Sequence, residues 1–149
     1  METVITVNGQ RHTVAADDRL TLVELLRDQL DLTGTKMACG EGTCGTCTVL
    51  LDDRPVLSCL TLVAACDGRS VRTVEDRSPL LEDLREAFTA TDGLQCGYCT
   101  PGQLMSAVAL LEQNPSPTTE EVVTAMSGNL CRCGAYGGII EAVERMAVR

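Results

Sequence analysis

Apolar and polar positions alternate from Thr3 to Asn8 and again from Arg11 to Ala15, the period of half-buried strands. Asn8-Gly9 lies between them and supplies hairpin-turn chemistry. From Asp17 to Leu32 the period changes. Leu22, Leu25, Leu26 and Leu30 fall at helical spacing, and Thr21 followed by Glu24 forms a capping box at the start. Leu32-Thr33-Gly34 ends that helix, and from Thr35 to Cys47 apolar periodicity disappears into a Gly-, Thr- and Cys-rich loop. Thr48–Leu51 reads as a strand, Asp52-Asp53-Arg54-Pro55 as a turn and Val56–Cys59 as a returning segment. Leu60–Cys66 fits a short helix or an extended run equally well, and Ser70–Val74 is a last strand after Asp67-Gly68. Strands, a helix, a loop and more strands predict an α+β domain over residues 1–75.

Glu75–Pro79 is polar and Pro-containing and reads as a linker; beyond it every apolar pattern is helical. Leu80–Ala90 follows the start signal Ser78-Pro79, and Thr100–Gln113 opens with Thr100 as N-cap and Pro101 at the first helical position. Asn114–Pro117 breaks the chain, Thr118–Met126 restarts it with Glu120 and Glu121 in the first turn, and Ala135–Val148 ends it. Leu104, Met105, Val108 and Leu111 recur as a core face. The prediction for residues 76–149 is an all-α domain, a small four-helix bundle.

Composition changes the picture in two ways. The 149 residues hold two Tyr, one Phe and no Trp, but nine Cys. An aromatic core is thereby excluded, and cysteine chemistry is the candidate to replace it. Twelve basic against twenty-one acidic residues give a net charge of −9, which argues against a surface for nucleic acid or anionic lipid. The N-terminus lacks the basic and apolar regions of a signal peptide, and no apolar run is long enough to span a membrane. An odd number of cysteines without an export signal points to metal-binding thiols in a cytoplasmic protein.

Eight of the nine form two sets. Cys39-x4-Cys44-x2-Cys47, with Cys59 after eleven intervening residues, matches the plant-type [2Fe–2S] spacing. Gly40, Gly42 and Gly45 between the ligands let the backbone approach closely and direct N–H groups at sulfur. Cys96-Gly-Tyr-Cys99 and Cys131-Arg-Cys133 each precede a predicted helix, where free N–H groups favour negative charge. Spacing alone leaves this second set open between a [2Fe–2S] cluster and four-thiolate zinc, with a redox-active C-x-x-C at Cys96/Cys99 as a third reading. Cys66 sits in an apolar run and reads as a buried thiol; His12 reads as a strand residue. Asp52-Asp53 and Glu120-Glu121 read as a solvated turn and a helix start. No acid/base set is present, so no catalytic residue is expected on this chain.

The stretches Gly34–Leu50 (GTKMACGEGTCGTCTVL), Gln95–Gln103 (QCGYCTPGQ) and Gly128–Tyr136 (GNLCRCGAY) resemble the small iron–sulfur subunit of the xanthine dehydrogenase family of molybdenum hydroxylases. That family includes carbon monoxide dehydrogenases, aldehyde oxidoreductases and 4-hydroxybenzoyl-CoA reductases. The resemblance spans essentially the whole chain and selects iron–sulfur over zinc. It implies a β-grasp, ferredoxin-like domain followed by a four-helix domain, and two [2Fe–2S] clusters. It also implies a large molybdopterin-binding subunit and a medium FAD-binding subunit as partners, in a heterotrimer or a dimer of heterotrimers. Carried over by position, Cys96, Cys99, Cys131 and Cys133 hold the molybdenum-proximal cluster, and Cys39, Cys44, Cys47 and Cys59 the flavin-proximal one. Gln95 and the Cys133 backbone match positions that contact the pterin.

The chain departs from the family pattern at Ala38, at Thr46 and in the Gly-Ala-Tyr-Gly-Gly run after Cys133. None of these is a ligand position. The Thr46 hydroxyl is expected to donate to a cluster sulfur and so raise a potential, while Gly137-Gly138 inside a helix reads either as a cost to the helix or as room for a close backbone approach. Two rivals accompany the electron relay: a free-standing two-cluster ferredoxin and a metal-stapled, non-catalytic interaction or sensor module. A hydrophobic content of 44% and a mean hydropathy of +0.08 are high for so acidic a carrier and favour permanent subunit status.

Overall fold

The structure is a computed structural model describing residues 2–148. Strands β1 (Glu2–Val7) and β2 (Gln10–Ala15) pair antiparallel from Glu2 opposite Ala15 to Val7 opposite Gln10. Asn8 and Gly9 close the hairpin with φ of 48° and 81°, the left-handed pair that a two-residue turn of matching twist requires.

Helix α1 is shorter than its apolar pattern predicts. It begins at Leu22 (Leu22–Glu24), capped by Thr21 and Glu24 in the reciprocal box, and widens at once into a π turn over Leu25–Gln29. Asp31, with φ of 55°, ends it. Arg27 then donates to the carbonyls of Thr33 (2.7 Å) and Thr35 (2.9 Å), holding the chain where the cysteine loop begins.

The remaining strands are β3 (Thr48–Leu51), β4 (Arg54–Leu57) and β5 (Ser70–Arg72). In the five-stranded sheet the order is β2-β1-β5-β3-β4, with β1 and β5 parallel and the other neighbours antiparallel. The β3–β4 turn is tighter than the sequence pattern indicates. Asp52 and Asp53 alone make it, with φ of 47° and 63°, so Arg54 and Pro55 already belong to the strand. Pro55 is tolerated because β4 lies at the sheet edge, where its missing N–H breaks no ladder. The ambiguous Leu60–Cys66 run contains a 3-10 turn at Val63–Cys66, and the last strand stops at Arg72 rather than Val74.

Four further helices follow: α2 (Pro79–Ala90), α3 (Thr100–Gln113), α4 (Thr119–Met126) and α5 (Tyr136–Met146). Helix α2 packs on α5 and α3, α4 packs on α3 and α5, and α3 also lies against β3 and β4. Thr118 and Glu121 form a second capping box at α4. Thr100 is not the N-cap of α3. Cys99 is, and the Thr100 hydroxyl is buried without a partner. Helix α5 starts at Tyr136, one residue later than its pattern predicts, and stops at Met146.

Two large hydrophobic clusters result, with a third, small one of Val23, Cys47 and Cys59 among the described residues. One gathers Ile5, Leu22, Leu25, Leu26, Val49, Leu51 and Val71 between the sheet and α1. The other gathers Leu81, Leu84, Phe88, Met105, Val108, Ile139 and Val143 among the helices. Leu50 belongs to the helical cluster, whereas its neighbours Val49 and Leu51 belong to the sheet cluster. Because successive strand residues face opposite ways, β3 is buried on both sides. Phe88 is the one buried aromatic among the described residues; Tyr98 and Tyr136 are exposed. No described helix is long and apolar enough to cross a membrane.

Candidate metal centres

The first cysteine group hangs on the loop that leads into β3. Gly40, Gly42 and Gly45 all have positive φ (65°, 79° and 74°), and for the last two the space is closed as well. A Cβ on Gly42 would lie 2.3 Å from Leu60 Cδ1, and one on Gly45 2.2 Å from the Gly128 carbonyl oxygen. This backbone turns N–H groups onto sulfur: Glu41 donates to Cys39 Sγ (3.5 Å), Thr46 to Cys44 Sγ (3.5 Å) and Cys59 to Cys47 Sγ (3.4 Å). The Thr46 contact runs through its backbone N–H. Ser58, buried before Cys59, donates its hydroxyl to the Cys47 carbonyl at 2.6 Å and ties the distant fourth cysteine to the loop.

These contacts set the thiols apart. The Thr43 hydroxyl, joined by the N–H groups of Glu41, Cys44 and Thr43, draws Cys39 down to about 5, so it is a thiolate at neutral pH. Burial, reinforced by the adjoining Cys47 thiol, pushes Cys59 up to about 11. A buried thiol so reluctant to ionise alone is one that a bound cation would have to deprotonate.

The second group sits at helix starts. Cys99 is the N-cap of α3, and Cys131 and Cys133 precede Ala135, the N-cap of α5. Tyr98 N–H donates to Cys96 Sγ (3.5 Å) and Ala135 N–H to Cys131 Sγ (3.4 Å). Burial and the neighbouring Cys131 thiol push Cys99 up to about 11. Burial works the same way on Cys131, but the Ala135 N–H, the Cys99 thiol and the N–H groups of Cys133 and Gly134 outweigh it and lower that thiol. Cys96 and Cys133 touch at the exposed end of the group, beside exposed Leu94 and Gln95.

All nine cysteines are free thiols. Among the described residues, no three Cys, His, Asp or Glu side chains are gathered as the ligands of one ion. Thiol–thiol interactions link Cys47 with Cys59, Cys99 with Cys131 and Cys96 with Cys133, while Cys39 and Cys44 accept backbone N–H groups. A two-iron cluster held by four thiolates takes two at each iron, so paired thiols with N–H groups aimed at them fit that group. Cys66 is buried in the sheet-side cluster, 3.5 Å from the Leu62 carbonyl oxygen, and its thiol is raised by burial.

Between the two groups runs a seam of backbone contact. Leu130 N–H, immediately before Cys131, donates to the carbonyl of Cys44 at 2.9 Å. A Cβ on Gly102 would lie 2.5 Å from the Gly45 carbonyl oxygen and 2.7 Å from that of Thr46. Tyr98 donates its hydroxyl to the Met37 carbonyl (2.8 Å), and Tyr136 accepts the N–H of Cys131 on its own hydroxyl (2.8 Å). A cavity of about 360 Å³ is lined by Cys44 on one side and by Cys96, Cys99 and Cys131 on the other.

The motif reading passes over three residues of this seam: Gln103, Ser106 and Asn129, all buried and hydrogen-bonded to one another. A signal for them exists. Gln103 and Ser106 are polar residues three apart in an otherwise apolar helix, the mark of a buried polar contact.

Two groups of four cysteines stand in one chain, one around a glycine loop and one at helix starts, and similarity to known proteins assigns the class to them. A family model for a 2Fe-2S iron-sulfur cluster binding domain matches residues 5–65, and one for a [2Fe-2S] binding domain matches residues 71–144. The nicotine 6-hydroxylase small subunit of Paenarthrobacter nicotinovorans is 58% identical over 144 residues, covering 96% of this chain and 87% of that protein. The nicotinate dehydrogenase small FeS subunit of Eubacterium barkeri is 41% identical over 151 residues, covering 96% of this chain and 95% of its own. The crystal structure of quinoline 2-oxidoreductase from Pseudomonas putida 86 superposes with a TM-score of 0.92 at 42% identity, over 99% of this chain and 92% of that one. The chain therefore belongs to the family of small iron–sulfur subunits of molybdenum hydroxylases. It is the electron-transfer subunit of an oxidoreductase, and the free-standing carrier and the metal-stapled module are not favoured.

Proposed function

We propose that this chain relays electrons from a molybdopterin centre on a large partner subunit, through two [2Fe–2S] clusters of its own, to FAD on a medium partner subunit. In this reading Cys96, Cys99, Cys131 and Cys133 hold the molybdenum-proximal cluster, and Cys39, Cys44, Cys47 and Cys59 the flavin-proximal one. The clusters supply one-electron storage at two adjacent sites. The chain's residues do the rest. They deliver paired thiolates, aim N–H groups at the sulfurs to stabilise added negative charge, and keep the two groups in backbone contact.

The observation that carries the reading is the 2.9 Å hydrogen bond from Leu130 N–H to the Cys44 carbonyl. It joins the residue next to one candidate ligand directly to a candidate ligand of the other group. The exposed end of the second group supports a partner there: Gln95, Cys96 and Cys133 are open, while Cys39 and Cys44 of the first group are half-buried. Gln95 and the Cys133 backbone face the pterin in this assignment. The chain divides into a β-grasp ferredoxin-like domain (1–75) and a four-helix-bundle domain (76–149), and it works in the cytoplasm within a heterotrimer or a dimer of heterotrimers.

Metal content of the protein purified mildly with its partners tests this. About four irons per chain together with molybdenum is the expected result. Iron at that level without molybdenum would point back to a free carrier, and stoichiometric zinc would overturn the assignment of Cys96, Cys99, Cys131 and Cys133.

A further inference from the structure

Asn129 lies in the seam, two residues before Cys131. Its side chain is 4% exposed. Its Nδ2 donates to the Gly45 carbonyl at 3.0 Å and stands 3.5 Å from Thr48 Oγ1, within the loop and strand that carry Cys44 and Cys47. Its Oδ1 accepts the Ser106 hydroxyl of α3 at 2.7 Å, and its main-chain oxygen accepts Gln103 Nε2 at 3.0 Å. Gln103, itself 1% exposed, also places Nε2 3.9 Å from Cys99 Sγ. One residue thus touches the loop of the first group and the helix that begins at Cys99, and leads directly into Cys131.

We propose that Asn129 is a positioning residue that fixes the separation of the two cysteine groups and thereby the electronic coupling between the clusters they hold; this rests on the two-cluster relay proposed above. The seam requires an amide at this point. Gly45 presents a carbonyl and Ser106 a hydroxyl proton, so the side chain between them must donate on one side and accept on the other. Glycines at 45 and 102 let the backbones approach closely. Beside the Leu130–Cys44 backbone bond, the hydrogen-bonded length of the Asn129 side chain sets the gap. Electron tunnelling and magnetic coupling both fall steeply with separation, so a small opening of the seam acts on transfer before it acts on either cluster alone. Asp at this position would put a carboxylate against the Gly45 carbonyl. Ala would leave that carbonyl and the Ser106 hydroxyl unpaired in a buried place.

The test compares wild type, Asn129→Asp, Asn129→Ala and Ser106→Ala in the complex with its partner subunits. Iron per chain, the magnetic resonance spectrum of the fully reduced protein and the melting temperature are read together. Both Asn129 variants are expected to keep two cluster signals with their own g-values but to lose their mutual splitting, with Ser106→Ala shifting the same way by less. A lowered melting temperature with wild-type splitting would assign Asn129 a purely structural role and overturn the proposal. If the Asn129 variants fail to hold iron, Ser106→Ala decides, and unchanged splitting there overturns it. A wild type without two reducible clusters would instead overturn the relay reading on which this proposal rests.

Discussion

The two cysteine groups reach the same end by different means. In the sheet half a loop does the work: glycines at 40, 42 and 45 bend backbone N–H groups onto sulfur, and two of the four thiols are buried. In the helical half the geometry comes from helix starts, with Cys99 as the N-cap of α3 and Cys131 and Cys133 just ahead of α5. The first group buries Cys47 and Cys59 and leaves Cys39 and Cys44 half-buried, while the second buries Cys131 and leaves Cys96 and Cys133 at the surface. A loop that wraps can insulate; a helix terminus presents its charge outward. Two sites of the same ligand chemistry can thus differ in accessibility through their scaffolds alone.

The largest effect that separates the groups comes from single ligands. Cys131→Ser is expected to remove one paramagnetic signal of the reduced protein and leave the other, and Cys47→Ser to do the converse. Loss of both signals in either variant would show that the groups do not load independently. Gly102→Ala drives a methyl into the Gly45 and Thr46 carbonyls and should disturb both halves together. The expected cost is about 1–3 kcal/mol, seen as a lowered unfolding midpoint and altered signals from both clusters. Smaller again is the contrast between adjacent glycines in α5. A Cβ on Gly138 would lie 2.4 Å from the Thr91 carbonyl oxygen, whereas Gly137 has open space. Gly138→Ala should destabilise and Gly137→Ala should stabilise by up to about 1 kcal/mol. Cys66→Ala removes a buried thiol from the sheet cluster, with a modest loss of stability and both clusters intact by iron count.

The smallest effect is in the pH profile. Hydrogen bonds from the Thr21 hydroxyl and N–H lower the Glu24 carboxyl, and the Thr118 N–H and hydroxyl lower Glu121. A carboxyl lowered in the folded state adds stability above its unfolded value, near pH 4.3, and loses it as pH falls through the lowered folded value. Glu24→Gln and Glu121→Gln should therefore flatten the acid limb of a stability–pH curve, one from each half, by lowering the neutral plateau toward the acid value.

Elements with a strong local cause were legible in the sequence. Asn8-Gly9 announced the hairpin, the Thr21/Glu24 box the start of α1, and Thr48–Leu51 its strand. The cysteine spacings marked Cys39–Cys47, Cys96–Cys99 and Cys131–Cys133 as candidate ligand runs because each run is local. Misses came where a distant contact decided. The π turn shortens α1, Pro55 extends β4 only because that strand is an edge, and Cys99 displaces Thr100 as N-cap. Gly137-Gly138 signalled a close approach, but only the fold shows that Gly138 alone makes it, against the Thr91 carbonyl. Asn129, Gln103 and Ser106 went unread for the same reason: their partners lie across the seam, far away in sequence.

Strand β3 has a consequence for how the molecule must be made. Leu50 completes the helical cluster while Val49 and Leu51 complete the sheet cluster, so four residues serve two interiors at once. On a ribosome the sheet half emerges first, and until α3 arrives the Leu50 side of β3 has nothing to cover it. The helices, if severed from residues 1–75, would in turn meet water along the surface that Leu50 fills. Neither half has a complete interior alone: β3 needs the helices to cover Leu50, and the helices need Leu50 to fill their own cluster.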